Sequence, residues 1–346
     1  MNEGIVESDL DVIIKNIQDF SDILEGKTIL IVGGRGFLGT YFVKTFQKLN
    51  ESFVNPSKIL VLDNRITEKN LQSFDDPNIK FLEKDISKEI QINEKIDFII
   101  HSASIASPPI YRKFPLKTVD VNYQGTRNLL ELAKQNQIDG MLFLSSSEIY
   151  GDPQVIPTPE SYWGHVSCIG PRACYDESKR LAETVCILYS QLYEVPVKIV
   201  RPFNVYGPFL TLDDGRMIPD FMKGAIKKSK IEIYSDGTPT RSFCYVSDAI
   251  IGFLRVLLLS ENGSIFNVGN DEEISVKEAA EFVERCFDNP IEISFEQSLD
   301  TKYTVDNPQR RCPDLREIKN KVKYSPQIKF KEGIKRLHKW YMDNLE

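Results

Sequence analysis

The run Thr28-Ile-Leu-Ile-Val32, followed at once by Gly33-Gly34-Arg35-Gly36-Phe37-Leu38-Gly39, constrains this chain more than any other segment. A short continuous apolar run reads as a strand buried on both faces, and parallel strands are the ones buried that way. The glycines behind it permit a tight turn into a helix and let a ligand approach the backbone at the helix start. Further short apolar runs follow at 58–62, 96–100, 141–144 and 197–200, with helical stretches such as 125–135 and 176–192 between them. Buried strands alternating with helices give an α/β fold, a doubly wound parallel sheet of the Rossmann kind.

The alternation loosens after Arg201. The expected organisation is a dinucleotide-binding domain over 27–204 with a return segment at about 242–260. A smaller C-terminal substrate-binding lobe takes 205–241 and 261–346. Ser275-Val-Lys-Glu278 has the spacing of a capping box that opens a helix. In residues 1–26, Ile13, Ile14, Ile17, Phe20 and Leu24 are spaced like one helix face, so this extension is expected to be an accessory helix packed on the main fold.

Charge narrows the function classes. With 43 basic and 50 acidic residues the formal net charge is −7, which argues against a generic nucleic-acid binder with a basic stripe. The six cysteines, Cys168, Cys174, Cys186, Cys244, Cys286 and Cys312, form no CxxC pair and make no disulfide framework. No His/Cys/carboxylate cluster points to a metal. No apolar run approaches the ~18 residues a membrane span needs, and the acidic start has no signal-peptide layout. The expectation is a cytoplasmic protein without membrane or nucleic-acid partners.

Gly33, Gly36 and Gly39 have the GxxGxxG spacing of a dinucleotide turn, with Phe37 and Leu38 opening the helix. Asp63 ends the second apolar run, 24 residues beyond Gly39, with Asn64 beside it. A carboxylate there accepts from both ribose hydroxyls of NAD and repels the 2′-phosphate of NADP. Arg65 pulls the other way, since a nearby arginine favours NADP, but the placement of Asp63 favours NAD. Asp85-Ile86, after the next apolar stretch, is a candidate adenine contact.

Tyr175-Asp-Glu-Ser-Lys179 is the second anchor. A four-residue gap puts both side chains on one helix face, one turn apart. A neighbouring ammonium favours the phenolate, so Lys179 is expected to lower the pKa of Tyr175 and make it a base for a sugar hydroxyl. Ser145-Ser146-Ser147-Glu148 follows the fourth run, at the sheet edge where ligands bind. Its hydroxyls are placed to bond a substrate oxygen, and Glu148 to move a proton or orient water.

These residues, together with His101-Ser-Ala-Ser104, Ala106-Ser-Pro-Pro109 with Tyr111, the block Tyr162-Trp-Gly-His-Val166 with Ile169-Gly-Pro-Arg-Ala-Cys-Tyr-Asp176, Asp214-Gly-Arg216, Thr240–Asp248 and Asp306–Arg311, resemble the extended short-chain dehydrogenase/reductases that act on nucleotide sugars. Within that family the resemblance is to UDP-glucuronate decarboxylases and covers roughly residues 27–340. It implies Tyr175 as base with Lys179 on the nicotinamide ribose, and Ser146 on the sugar 4-hydroxyl. It makes Ser147 and Glu148 the catalytic Ser-Glu pair and assigns Arg311 to the C5–C6 end of the sugar. It adds Ala103 to the NAD site and Tyr111, Asn204, Arg216, Tyr234 and Arg241 to the nucleotide-sugar site. The implied chemistry is NAD oxidation at C4, loss of CO2 from the β-keto acid, and return of hydride.

The alternatives are a 4-epimerase, a 4,6-dehydratase or a 4-keto reductase. Ser147 stands where the dehydratases carry an aspartate acid, and retention of Glu148 without that acid favours decarboxylation. Ile105, Ile110, Asp120-Val121 and Pro219-Asp220 depart from the decarboxylase pattern. The resemblance also implies a homodimer built on the helix that carries Tyr175. Leu181, Val185, Leu188 and Leu192 share one face of that helix, which would pair with a second copy or pack inside the monomer.

Overall fold

The structure, a computed structural model, describes residues 4–64, 74–296 and 308–344. Its centre is a seven-stranded sheet. The strands are β1 (Thr28–Val32), β2 (Lys58–Asp63), β3 (Ile79–Glu83), β4 (Phe98–His101), β5 (Gly140–Leu144), β6 (Val197–Pro202) and a last strand, Ile265–Val268. The spatial order is Ile265–Val268, β6, β5, β4, β1, β2, β3, and every neighbouring pair is parallel. The order reverses between β1 and β4, which opens the crevice where open α/β sheets bind ligands.

Period-two alternation divides the apolar runs between two cores. Ile29, Ile31, Ile59, Val61 and Ile100 face one side, in one cluster with residues of helices Gly4–Ile17, Phe37–Asn50 and Val246–Leu259. Leu30, Val32, Leu60, Leu62 and Ile99 face the other, with residues of helices Thr126–Asn136 and Ala173–Tyr193. The doubly wound Rossmann-like expectation is met.

Two strands escape the five-run reading. β3 lies at the sheet edge and is half-exposed, so Lys80 and Glu83 interrupt its apolar pattern. Ile265–Val268 carries Asn267, a buried amide that accepts from the Tyr150 hydroxyl at 2.7 Å and donates to the Thr158 carbonyl at 2.9 Å. The chain therefore rejoins the sheet beyond residue 260, where the sequence boundary stood. Outside the sheet, Thr240–Ser242 pairs with Glu273–Ser275 and Arg310–Arg311, and Lys230–Ile233 pairs with Glu292–Phe295. The Ser275–Glu278 capping box is present.

The N-terminal helix Gly4–Ile17 buries Val6, Leu10, Ile13 and Ile17 against helices Phe37–Asn50 and Val246–Leu259. Its Asp9 is fully buried, accepting from the Tyr41 hydroxyl at 2.8 Å, the Tyr245 hydroxyl at 2.9 Å and Arg336 at 3.0 Å. No described helix is long and apolar enough to cross a membrane.

Candidate active site

The glycine turn is built for close approach. Gly33 follows β1 at φ +78°, and a Cβ there would stand 2.7 Å from the Ala103 backbone. A Cβ on Gly39 would meet the Gly33 carbonyl at 2.0 Å, whereas one on Gly36 meets nothing nearer than 3.4 Å. Gly36 caps helix Phe37–Asn50. In front of the turn lies a cleft of about 90 Å³ lined by Gly33, Gly36, Asp63, Asn64, Ile86 and Ala103. This cradle, which side chains would fill, fits a dinucleotide. Asp63 ends β2 there, and its carboxylate accepts from the Arg35 and Asn64 backbone N–H groups at 3.1 and 2.8 Å.

Gly39 and Asp85 do not line this cleft. Gly39 acts through backbone packing. Asp85 is turned to Lys117 and to the Ser87 hydroxyl, 2.7 Å away, so Ile86 rather than Asp85 presents itself to the cleft. Arg65 lies outside the described residues.

Helix Ala173–Tyr193 puts Tyr175 and Lys179 on its buried face. The Lys179 ammonium donates to the Leu144 carbonyl at 2.7 Å and lies 4.9 Å from the Phe143 ring centroid. Burial pulls its pKa down to about 7. The Tyr175 hydroxyl lies beside Ser146, and its ring stacks on Tyr111 with centroids 5.4 Å apart. Burial pushes the Tyr175 phenol up to about 12, more than Ser146 and the Arg216 guanidinium offset. The expected lowering by Lys179 is thus not found. The ammonium is held at the end of β5, and desolvation dominates the phenol.

Ser146 caps the short turn Ser147–Tyr150, accepting from the Glu148 N–H at 3.1 Å. The turn places Glu148 between two arginines. Arg311 meets both carboxylate oxygens, at 2.6 and 3.0 Å, and Arg172 donates at 2.6 Å. Burial alone would raise the Glu148 carboxyl, but the Arg172 and Arg311 guanidiniums hold it down to about 2. Glu148 is therefore an ionised carboxylate here, not a loaded acid. Ser147 is buried.

A second cavity, of about 310 Å³, gathers these groups. Phe37 and Leu38 line it at the glycine-turn end, and Ser146, Ser147, Glu148, Tyr175, Lys179 and Arg311 line it as well. Tyr111, Asn204, Arg216, Tyr234 and Arg241 line it too, so the expected substrate residues share one space with the expected catalytic ones. Asn204 donates to the Ser242 carbonyl at 3.1 Å, Arg216 forks onto Asp214, Tyr234 donates to Glu232 at 3.0 Å, and Arg241 donates to the Thr240 carbonyl at 2.7 Å. The cavity and the cleft share Ser102 and Ser104.

Sequence reasoning missed Arg172. It stands within the quoted Gly-Pro-Arg-Ala-Cys-Tyr block, three residues before Tyr175, and an arginine so near the expected tyrosine base was the available signal. It also left open where the outer face of helix Ala173–Tyr193 goes. Leu181, Leu188 and Leu192 are exposed, so these three do not pack inside the monomer. No group of three or more metal-ligating side chains occurs among the described residues.

Comparison with known proteins agrees with this arrangement. The chain is 39% identical over 309 residues to UDP-glucuronic acid decarboxylase 3 of Arabidopsis thaliana, covering 88% of this chain and 86% of that protein. It is 37% identical over 323 residues to UDP-glucuronic acid decarboxylase 1 of Xenopus tropicalis, covering 92% and 73%. Among solved structures, an epimerase from the methanogen Methanothermobacter thermautotrophicus superposes with a TM-score of 0.82 at 25% identity over 96% of both chains. Residues 29–269, from β1 through the last strand of the sheet, match the NAD dependent epimerase/dehydratase family as a whole. With its glycine cradle, its Tyr175–Lys179 helix and relatives aligned over most of its length, the chain is an enzyme of the NAD dependent epimerase/dehydratase family.

Proposed function

We propose that this enzyme converts UDP-glucuronate to UDP-xylose and CO2, using NAD that stays bound through the cycle. The observation that carries the reading is the Arg172–Glu148–Arg311 cluster in the same cavity as Tyr175. Two guanidiniums beside a sugar-oxidising tyrosine suit an anionic sugar better than a neutral hexose. The decarboxylase names of the relatives support the same substrate.

NAD, when bound, supplies the hydride acceptor for the sugar C4 and later the hydride donor. Gly33, Gly36 and Ala103 leave room for its pyrophosphate, and Asp63 is placed for a ribose. Tyr175 takes the C4 hydroxyl proton, with Ser146 orienting that oxygen. The Lys179 ammonium, pulled down toward 7, is poised to exchange protons near neutral pH. Oxidation at C4 makes the sugar a β-keto acid, whose C5–C6 electron pair flows into the ketone as CO2 leaves. Tyr111 covers the Tyr175 ring and limits water there.

The test is incubation with UDP-glucuronate and NAD, followed by mass spectrometry of the nucleotide sugar. Loss of the mass of CO2 without accumulated NADH is expected. An unchanged uronate, with inversion or water loss from a neutral hexose nucleotide, would replace this reading by an epimerase or dehydratase. We infer also that two copies pair through the exposed Leu181, Leu188 and Leu192 face. Light scattering of the purified protein tests it, and a monomer at micromolar concentration removes it.

A further inference from the structure

Resting on the decarboxylase reading, we propose that the substrate carboxylate exchanges with Glu148 on the guanidiniums of Arg172 and Arg311, and that Glu148 leaves this clamp by taking up the proton it later delivers to C5.

Three observations carry it. The two guanidiniums share one carboxylate, and the Nε–H groups of both Arg172 and Arg311 are buried without a hydrogen-bond partner. The clamp therefore offers more donors than Glu148 satisfies. Second, the clamp lines the cavity that also holds Tyr175 and Ser146, so a sugar held by its C4 oxygen turns its C5 substituent into reach of the same walls. Third, Glu148 stands on a short capped turn, and its side chain retains 17% exposure, against 15% for Arg172 and 5% for Arg311. Arg311 is the fixed member of the cluster, and the glutamate has at least as much room to move as Arg172.

The groups that face Glu148 are few. Arg172 and Tyr175 approach from the start of helix Ala173–Tyr193, Tyr111 from helix Pro108–Lys113, and Arg311 from the strand Arg310–Arg311. Asp176 and Tyr111 lie close enough to act on Arg172. Only the two arginines favour the ionised form of Glu148. When a second carboxylate occupies them, burial and like-charge repulsion act on Glu148 unopposed, and it binds a proton from water.

The balance closes. Binding brings one negative charge and one proton into the cavity. After C4 is a ketone, the C5–C6 bond breaks, CO2 departs and its electron pair becomes the C4–C5 enolate. The Glu148 O–H bond then breaks as the new C5–H bond forms. Departure of CO2 empties the guanidiniums, which favours ionised Glu148 again and drives that proton transfer. The proton consumed in turning a carboxylate into CO2 plus C–H is the one taken up on binding.

The experiment measures proton uptake on binding, apart from turnover. The NAD-loaded Tyr175→Phe variant is titrated calorimetrically near neutral pH in buffers of different ionisation enthalpy. UDP-glucuronate is expected to take up about one proton per site, and UDP-glucose none. Glu148→Gln in the same background should abolish the uptake while still binding UDP-glucuronate. Where Tyr175→Phe does not fold, stopped-flow of the native enzyme with a pH indicator replaces it, with uptake expected before CO2 release. Binding of UDP-glucuronate without uptake overturns the exchange, because the carboxylate would then be joining Glu148 on the free Nε–H groups. Equal uptake with UDP-glucose overturns it too. CO2 production by the native enzyme is scored separately. Release without binding-phase uptake sinks the exchange and spares the decarboxylase reading, whereas uptake without CO2 sinks the decarboxylase reading and with it the delivery to C5, leaving only the carboxylate exchange on the guanidiniums.

Discussion

Arg311 and Glu148, 163 residues apart in the chain, meet fork to fork at 2.6 and 3.0 Å. Arg311 belongs to the small sheet formed with Thr240–Ser242, and Glu148 to the turn after β5. The pair therefore ties the outer sheet to the edge of the central one. Glu148→Ala leaves two buried guanidiniums without their carboxylate and should cost about 3 kcal/mol. Arg311→Ala leaves Glu148 with Arg172 and should cost less. The pH dependence follows from the depressed carboxyl. Its folded value, about 2, lies below its ordinary 4.5, so its stabilisation is fully present above pH 4.5 and is lost as pH falls toward 2. Denaturant titrations of Glu148→Gln at neutral pH and near pH 3 should show the gap to the native chain shrinking in acid. A gap that widens would contradict the ionised clamp.

The glycines of the turn predict a graded series. Gly39→Ala drives a Cβ to 2.0 Å from the Gly33 carbonyl, and Gly33→Ala meets the Ala103 backbone at 2.7 Å with a strained φ. Both should weaken NAD binding at least tenfold and lower the melting temperature. Gly36→Ala, with its nearest protein atom at 3.4 Å, should lower the melting temperature least of the three, while its methyl group, standing in the cleft, still weakens NAD binding. Thermal melts check the stability order, and calorimetric NAD titration checks the loss of binding.

Much of this was legible because it is local. The glycine turn, the one-turn spacing of Tyr175 and Lys179, and the apolar runs of β1, β2, β4, β5 and β6 are properties of short windows. What escaped depends on distant segments. Arg172 gains its meaning only beside Glu148 and Arg311, which the fold brings together. The last strand was hidden because Asn267 breaks its apolar run, and that amide is tolerable only because Tyr150 and the Thr158 carbonyl reach it. The state of Tyr175 was misjudged because spacing shows Lys179 nearby but not the desolvation that outweighs it.

The N-terminal helix carries a buried carboxylate that ties it to the main fold. Asp9 takes hydrogen bonds from Tyr41, Tyr245 and Arg336, and helix Phe37–Asn50, which carries Tyr41, also opens the cofactor turn. Asp9→Ala strands two buried hydroxyls and a guanidinium and should cost about 3 kcal/mol. Asp9→Asn keeps an acceptor and should cost roughly half as much. Chemical denaturation measures both. Equal and negligible losses would mean that the apolar face alone holds the extension.

Lys179 predicts a different pH signature. Its folded pKa, about 7, lies below the ordinary 10.5, so burying its ammonium costs stability. That cost is present in full below pH 7 and is relieved as pH rises toward 10.5. Relative to Lys179→Met, the native chain should gain stability between pH 7 and 10, by on the order of 1 kcal/mol per pH unit. Parallel melts of the two proteins across that range test the slope. Lys179→Met should also lower turnover at least about a hundredfold.

Cofactor choice is the last consequence of the geometry. Asp63 ends β2 with its carboxylate fixed by the Arg35 and Asn64 N–H groups, so it sits at the cleft as a placed charge rather than a mobile one. A charge held there opposes a 2′-phosphate by Coulomb repulsion and welcomes two ribose hydroxyls as donors. Asp63→Ser removes the repulsion and keeps a short hydrogen-bonding side chain. The ratio of NADP to NAD affinity should rise at least tenfold, chiefly through weaker NAD binding, with stability changed by less than about 1 kcal/mol because the backbone N–H groups turn to water. Fluorescence titration with both dinucleotides reads the ratio directly. An unchanged ratio would move the selection away from Asp63 to another part of the cleft.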